Sequence, residues 1–523
     1  MKDKLAKGMA WLGAAKVIIN ILALLSTVLL ARLLTPEDFG LVALATTMLA
    51  IISAVTQLSL ASALIHHKAP TDTHFHTAWT LNLSRAIIVG MLFCAAAPIT
   101  STLYNEPRLL NIMLVLGASV MLAGFNNPKM VILTRNLVFW QEFVMTVTQK
   151  LAGFLVGIGI AIFYKSYWAL IGGAIASQLV GIIVSYVIIP FMPKFSFTHA
   201  RELWSFSIWL TLGQIINTLN WKLDHLLIGG YLGPQTLGQY SVGDNLAGMP
   251  TRETIGPLET TLFPGFNQIA HDKERLKIAY RSAQSLITAI ALPVGVGCAL
   301  IAHPLVLLGM GAKWLPAVDV ILVLSCVFAL QTLSSPVHPL AMAKGETRLL
   351  FRRDLLSFVM RVPIIILGMF LGGLLGIIYA RSVTGVIAIF INMYLVRRLI
   401  GTGIVDQITA NMRSLVSVIV MSVGILSIEY VLGGEGMPLF LEHILGREGP
   451  QFALGYLMEY DEKTFLALKI GVFTFIGAVL YATVHLTLWL IAKKPPGPET
   501  EVLRMASKLV AKIKKPGLKA LAS

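Results

Sequence analysis

The sequence predicts an all-α polytopic membrane protein of about fourteen transmembrane helices: two six-helix lobes related by a pseudo-two-fold along the membrane normal, plus two extra C-terminal helices. Three observations lead there. Hydrophobic residues make up 56% of the 523 positions and charged residues 13%, with a mean hydropathy of +0.77, which leaves too little polar surface for a water-soluble globule. The apolar residues form continuous runs between short polar connectors, where a strand barrel would alternate. A short motif that follows the first run returns after the seventh.

In the first half the runs are Met9–Leu30, Gly40–Ala61, Ala78–Ala97, Leu109–Gly124, Phe143–Phe163, Trp168–Phe191 and Phe206–Gly229. The second half holds Leu237–Phe263, Ala283–Leu308, Ala317–Leu340, Leu355–Phe370, Leu374–Val396, Leu415–Leu432 and Phe465–Ile491. Most approach the roughly 20 residues that cross a bilayer. Counted from an inside N-terminus, inside segments hold about 27 Lys and Arg against about 6 outside, which sets both termini in the cytoplasm. Lys273, Arg275, Lys277 and Arg281 in one inside loop, and Lys344, Arg348, Arg352 and Arg353 in another, carry much of that bias.

The net charge of +15 is thus largely a topology signal, and its scatter over many loops argues against a nucleic-acid partner. Cys94, Cys298 and Cys326 lie in different spans and read as small packed hydrophobes, with no disulfide framework. The first apolar run is too long for a signal peptide and lacks a persuasive cleavage site, so it reads as a retained helix.

The returning motif divides the chain. LLTPEDFGLVALA follows the first span and YLGPQTLGQYSVG the seventh, with Leu34, Pro36 and Gly40 matching Leu232, Pro234 and Gly238 at one constant offset. Proline presets the backbone of a tight helical hairpin, and glycine lets the next helix start close against a neighbour. An even number of spans separates the copies, so both halves enter the membrane in the same sense, and a carrier built this way places its site between the halves near mid-depth. The expected organisation is one lobe over residues 1–200, a second over 201–401, two additional helices with a periplasmic loop (Gly433 to Thr464) over 402–492, and a basic cytoplasmic tail over 493–523.

LARLLTPEDFG at Leu30–Gly40 and DHLLIGGYLGPQTLGQYS at Asp224–Ser241 give the chain a family likeness over about Leu5 to Gly401. It resembles the Wzx-type polysaccharide-transporter flippases of the multidrug/oligosaccharidyl-lipid/polysaccharide exporter superfamily. The resemblance implies translocation of an undecaprenyl-pyrophosphate-linked oligosaccharide from the cytoplasmic to the periplasmic leaflet of a bacterial inner membrane, for exopolysaccharide, capsule or O-antigen, alongside polymerase and export machinery. Alternatives within the superfamily are a cation-coupled drug exporter, which would favour an acid-dominated cavity, and a lipid II flippase.

Eight basic residues fall inside the spans: Lys16, Arg85, Lys150, Lys222, Arg252, Arg361, Arg381 and Lys469. At a helix centre each costs about 2.5–3.5 kcal/mol on insertion scales, so such residues normally face a protein-lined cavity. Lys16 and Lys469 lie near helix ends and can snorkel. Arg85, Lys150, Lys222, Arg252, Arg361 and Arg381 are the candidate substrate-binding residues. Lys150 and Arg361 fall on equivalent helices of the two halves, and one cation from each side suits a pyrophosphate.

Among the acids in the spans are Asp224, Asp244, Glu253 and Glu259, with Asp224 and Glu253 the candidates for ion coupling and structural pairing the competing use. Pro250, Pro257 and Pro264 are expected to kink or break the eighth span. Asn20, Asn82, Gln214, Asn217 and Asn220 suit either sugar hydroxyls or interhelical contacts.

Other signals carry less. His66, His67, His74 and His76 cluster before the third span without the cysteine, carboxylate or HExxH pattern of a metal site, so no metal or cofactor is expected. No Walker motif or acid–base constellation appears, and an enzyme is not expected. The competing enzyme class, a membrane polysaccharide polymerase or ligase, would need the last outside loop, whose Glu435, Glu442, His443 and Arg447 read as solvated charges. From Glu499 to Leu521, apolar residues interleave with Arg504, Lys508, Lys512, Lys514 and Lys515, as in a cationic helix on anionic lipid headgroups or a solvated tail.

Overall fold

A computed structural model gives the fold and describes residues 2–56, 60, 64, 70–136, 138, 140–200, 208–431, 462–494 and 497–500. Among these the regular structure is helical throughout. The main helices are α1 (Lys2–Leu33), α2 (Pro36–Val55), α3 (Asp72–Leu103), α4 (Arg108–Ala123), α5 (Trp140–Tyr164), α6 (Trp168–Ile188) and α7 (Ile208–Tyr231). They continue with α8 (Gly233–Gln268), α9 (Lys273–Leu300), α10 (Pro316–Gln331), α11 (Thr347–Ile400), α12 (Met412–Val431) and α13 (Glu462–Ile491).

Ten helices among the described residues are long and apolar enough to cross a membrane. The protein is a multi-pass helical membrane protein. α4, α7 and α8 fall outside that set for physical reasons. α4 has 16 residues, or about 24 Å at 1.5 Å per residue, while α7 and α8 carry Lys222, Asp224, Asp244, Arg252, Glu253 and Glu259. The last outside loop (432–461), His66, His67 and the tail from 501 onward lie outside the described residues.

By contacts the chain forms two compact units, Met1–Val242 with Gly309–Trp314, and Gly243–Leu308 with Leu315–Ser523. In the first unit the two motif copies pack on one another. A Cβ on Gly40 would lie 1.7 Å from the Pro234 carbonyl oxygen and 2.9 Å from Gly238 N, and a Cβ on Gly238 would lie 1.7 Å from the Pro36 carbonyl oxygen and 2.9 Å from Gly40 N. Contacts that exchange residues in this way are the mark of a local two-fold axis.

Local chemistry builds each copy differently. Thr35 caps α2, its hydroxyl accepting from Asp38 N at 3.3 Å while Asp38 Oδ2 accepts from Thr35 N at 2.9 Å, and Pro36 occupies the first turn. In the second copy Gly233 takes the place of Thr35 with φ of 83°, a conformation that costs glycine little. The carbonyls at the end of α1 find partners on the 309–314 segment: Trp314 Nε1 donates to Ala31 O at 2.8 Å and Lys313 Nζ to Arg32 O at 2.9 Å. Burial holds the Lys313 ammonium below its ordinary pKa, opposed by the nearby Asp38 carboxylate.

The second unit packs α9, α10, α12 and α13 around Leu292, Val296, Ala329, Met421, Ile425 and Phe473. Within α11 the chain turns at Gly372 (φ −150°) and Gly373 (φ 54°), which separates the two spans read from the sequence. A Cβ on Gly376 would lie 1.9 Å from the Gly368 carbonyl oxygen, so the two segments pack backbone to backbone. The prolines do not break the eighth span: α8 stays helical through Pro250, Pro257 and Pro264. Proline is tolerated in membrane helices because neighbouring groups and local adjustments satisfy the carbonyl it frees.

The crossing yields a prediction. Gly40→Ala and Gly238→Ala should each lower membrane abundance and the melting temperature of purified protein, since overpacking costs about 1–3 kcal/mol. Gly159→Ala, whose methyl meets nothing within 4 Å, should change neither in fluorescence-detected size-exclusion melts. Equal melts for all three would sink the account.

Candidate functional site

The first unit encloses a cavity of roughly 790 Å³, lined by α1, α5, α6 and the chain after α4. Close helix packing frames it: a Cβ on Gly153 would lie 2.8 Å from the Gly173 carbonyl oxygen, and one on Gly173 would lie 2.8 Å from that of Gly153. Such small residues let membrane helices approach with backbone polar groups near the surface. Polar lining comes from Ser26, Asn127, Gln149, Lys150, Ser177 and Gln178. Lys150 is the one charged residue in the lining, and it is exposed. Gln178 is tied to α4, its Oε1 accepting from Ser119 Oγ at 2.9 Å and its Nε2 donating to Ser119 O. Asn127 Nδ2 donates to Ser185 O and Ile189 O at 3.2 and 2.8 Å, holding the end of α6.

The other basic residues meet different fates. Arg381, 6% exposed, donates from Nη1 to Asp244 Oδ1 at 2.6 Å, with its guanidinium 5.4 Å from the centre of the Phe328 ring. Its charge is therefore neutralised inside the second unit. Arg252 is exposed and donates to Asn245 Oδ1 at 3.1 Å. Arg85 and Lys222 are half-buried on α3 and α7 of the first unit, Arg361 on α11 of the second. Lys469 donates to the buried Glu429 at 2.7 Å and lies 5.4 Å from the centre of the Phe473 ring, which removes the need to snorkel.

Asp224 is fully buried and accepts from Tyr240 OH at 3.0 Å, with His225 edge-on to that ring. Glu253 and Glu259 are half-buried. Asn82 donates to Gly124 O at 3.2 Å and so serves as an interhelical tie. His74 closes a capping box with Thr71, and His76 Nδ1 accepts from Lys194 N at 3.1 Å. Glu499, expected at the start of a lipid-facing tail, is instead buried: Arg413 Nη1 donates to it at 2.6 Å, and His485 Nε2 lies 3.1 Å from the same oxygen.

A family model described as "Polysaccharide biosynthesis protein" matches residues 29–319, more than half of the chain. The chain belongs to this family. Among its relatives, the "Lipopolysaccharide biosynthesis protein WzxC" of Escherichia coli (strain K12) is 24% identical over 72% of this chain and 77% of its own. The "Succinoglycan biosynthesis transport protein ExoT" of Rhizobium meliloti (strain 1021) is 26% identical over 62% of this chain and 66% of its own. The fold is similar to that of the lipid II flippase MurJ in an inward closed conformation, with a TM-score of 0.69 at 15% identity over 92% of this chain and 98% of that one. An inward-facing multidrug resistance MATE transporter of the MOP superfamily matches with a TM-score of 0.58 at 14% identity, over 75% and 99%.

Gln149 and Gln178, uncharged amides within the spans, escape a reading by charge alone. So does Glu429, which lies one helical turn before the expected end of its span. Removing one member of a buried ion pair strands the other at a cost of about 3–5 kcal/mol, while apolar replacement of both is often neutral. Arg381→Met alone should therefore depress the melting temperature sharply, and the Arg381→Met, Asp244→Leu double variant should regain most of it. A double variant no more stable than the single would show that the pair is not the reason Arg381 is tolerated.

Proposed function

We propose that this protein is a flippase that carries an undecaprenyl-pyrophosphate-linked oligosaccharide from the cytoplasmic to the periplasmic leaflet of a bacterial inner membrane, by alternating access and without enzymatic chemistry. The observation that carries the reading is the cavity itself, a chamber of mixed polar and apolar lining in a membrane-spanning unit, in which the single charged side chain is the cation Lys150. A polyprenyl pyrophosphate presents an anion and hydroxyls to the protein and leaves its hydrocarbon tail to the bilayer. Lys150 offers charge-assisted donors to that anion. A cation-coupled drug exporter would instead favour acids in the lining, and Asp224 is engaged by Tyr240. The relatives' names support the same assignment, and the Lys and Arg bias supports cytoplasmic termini.

Deleting the gene should abolish one surface polysaccharide and accumulate its lipid-linked precursor, identified by mass spectrometry of the lipid extract. Hydrogen bonds to charged groups contribute about 1.5–3 kcal/mol. Lys150→Gln should thus cut export about tenfold or more at unchanged abundance. An unchanged polysaccharide and lipid-linked pool in the deletion strain would end the reading.

A further inference from the structure

We infer that Gln149 and Gln178 form a sugar-reading subsite beside Lys150, and that Gly181 sets its shape. The inference rests on the flippase reading for the identity of the sugar's carrier but not for its geometry. Lys150 and Gln149 are adjacent on α5, and Gln178 and Gly181 lie one turn apart on α6, all four lining the same cavity. A carboxamide has two N–H donors and an oxygen with two lone pairs, matching the paired donor and acceptor character of a sugar hydroxyl. Ser119 takes one donor and one acceptor site of Gln178, which fixes the amide plane and leaves one of each for a ligand. No hydrogen bond ties the Gln149 amide to another described residue. What holds it is space: a Cβ on Gly181 would lie 2.9 Å from Gln149 Oε1 and 3.0 Å from its amide carbon.

These features divide the cavity by chemistry, with a point charge for phosphate and two amides for neutral hydroxyls. The volume suits one small-molecule head group, within the range of about 300–1,000 Å³ usual for such pockets. Selectivity between sugars then depends on whether hydroxyls meet the amides, because a site built to hydrogen-bond rejects a ligand that leaves its polar groups unpaired.

Gly181→Ala is the sharpest probe. The added methyl meets the far end of a flexible side chain, so Gln149 can swing aside without disturbing the backbone. In a helix, alanine is favoured over glycine by about 1 kcal/mol, so the variant should melt no lower than wild type. Gln178→Leu is the second probe, removing the fixed amide.

The test is calorimetric titration of purified protein in nanodiscs with phosphate-free oligosaccharide hydrolysed from the producing strain's own surface polysaccharide. Wild type should bind, Gly181→Ala and Gln178→Leu should bind about tenfold more weakly, and Gly159→Ala, whose methyl meets nothing within 4 Å and lies outside the lining, should bind as wild type does. Equal affinity across all four proteins, or no binding by wild type at millimolar sugar, would overturn the subsite. Export from the complemented deletion strain separates the two readings. Restored export with no sugar binding sinks the subsite alone, whereas binding as expected with an unaltered polysaccharide in the deletion strain sinks the flippase reading.

Discussion

The reciprocal seating of Gly40 on Pro234 and Gly238 on Pro36 is the constraint on which the rest of the first unit depends. At that crossing two backbones are closer than any side chain allows, and the flanking groups are arranged to keep it so. Thr35 and Asp38 cap α2, Gly233 opens α8 in a left-handed conformation, and Trp314 with Phe39 packs edge to face at the end of α1. Arg108 bridges Glu37 and Glu106, and its hydrogen bonds hold the Glu106 carboxyl below its ordinary pKa. Each partner of this network is tied to the turn that follows α1 or to the segment after α3 that stacks beside it. That is where the two copies of the motif touch as equivalents.

A second constraint is the cost of charge in an apolar lobe. Arg381 meets Asp244, Lys469 meets Glu429, and Arg413 meets Glu499. Every one of these pairs joins residues far apart in sequence and near in the fold. Pairing of this kind stabilises little in net terms, but loss of either member is severe, which constrains both positions together. Among the described residues Lys150 borders a chamber with no acid in its lining, and a cation kept in that setting is available to a ligand.

The chamber borders an interface built from small residues. Gly153, Gly157 and Gly173 bring the α5 and α6 backbones together, and Gly181 leaves room for the Gln149 amide. Packing and function meet in the same glycines: they bring helices together at one level and open space for polar groups at another.

Helix-forming runs, the membrane class, the repeat and the turn between the two spans of α11 are all legible in the sequence, because they rest on local hydropathy and on glycine and proline chemistry. Family membership is legible for a related reason, since the motif residues that make the crossing are the ones that carry the likeness. Which charge is neutralised is not legible. Lys469 looked able to snorkel and Arg381 looked available, until the fold brought Glu429 and Asp244 within hydrogen-bond reach. The prolines of α8 looked like breakers, although the membrane setting tolerates them. Gln149 and Gln178 were invisible as a pair because they lie on different helices, and only the packing of α5 on α6 brings them to one wall. The sequence by itself determined what each segment is, because that depends on neighbours along the chain; tertiary structure alone decided which polar groups meet, because that depends on neighbours in space.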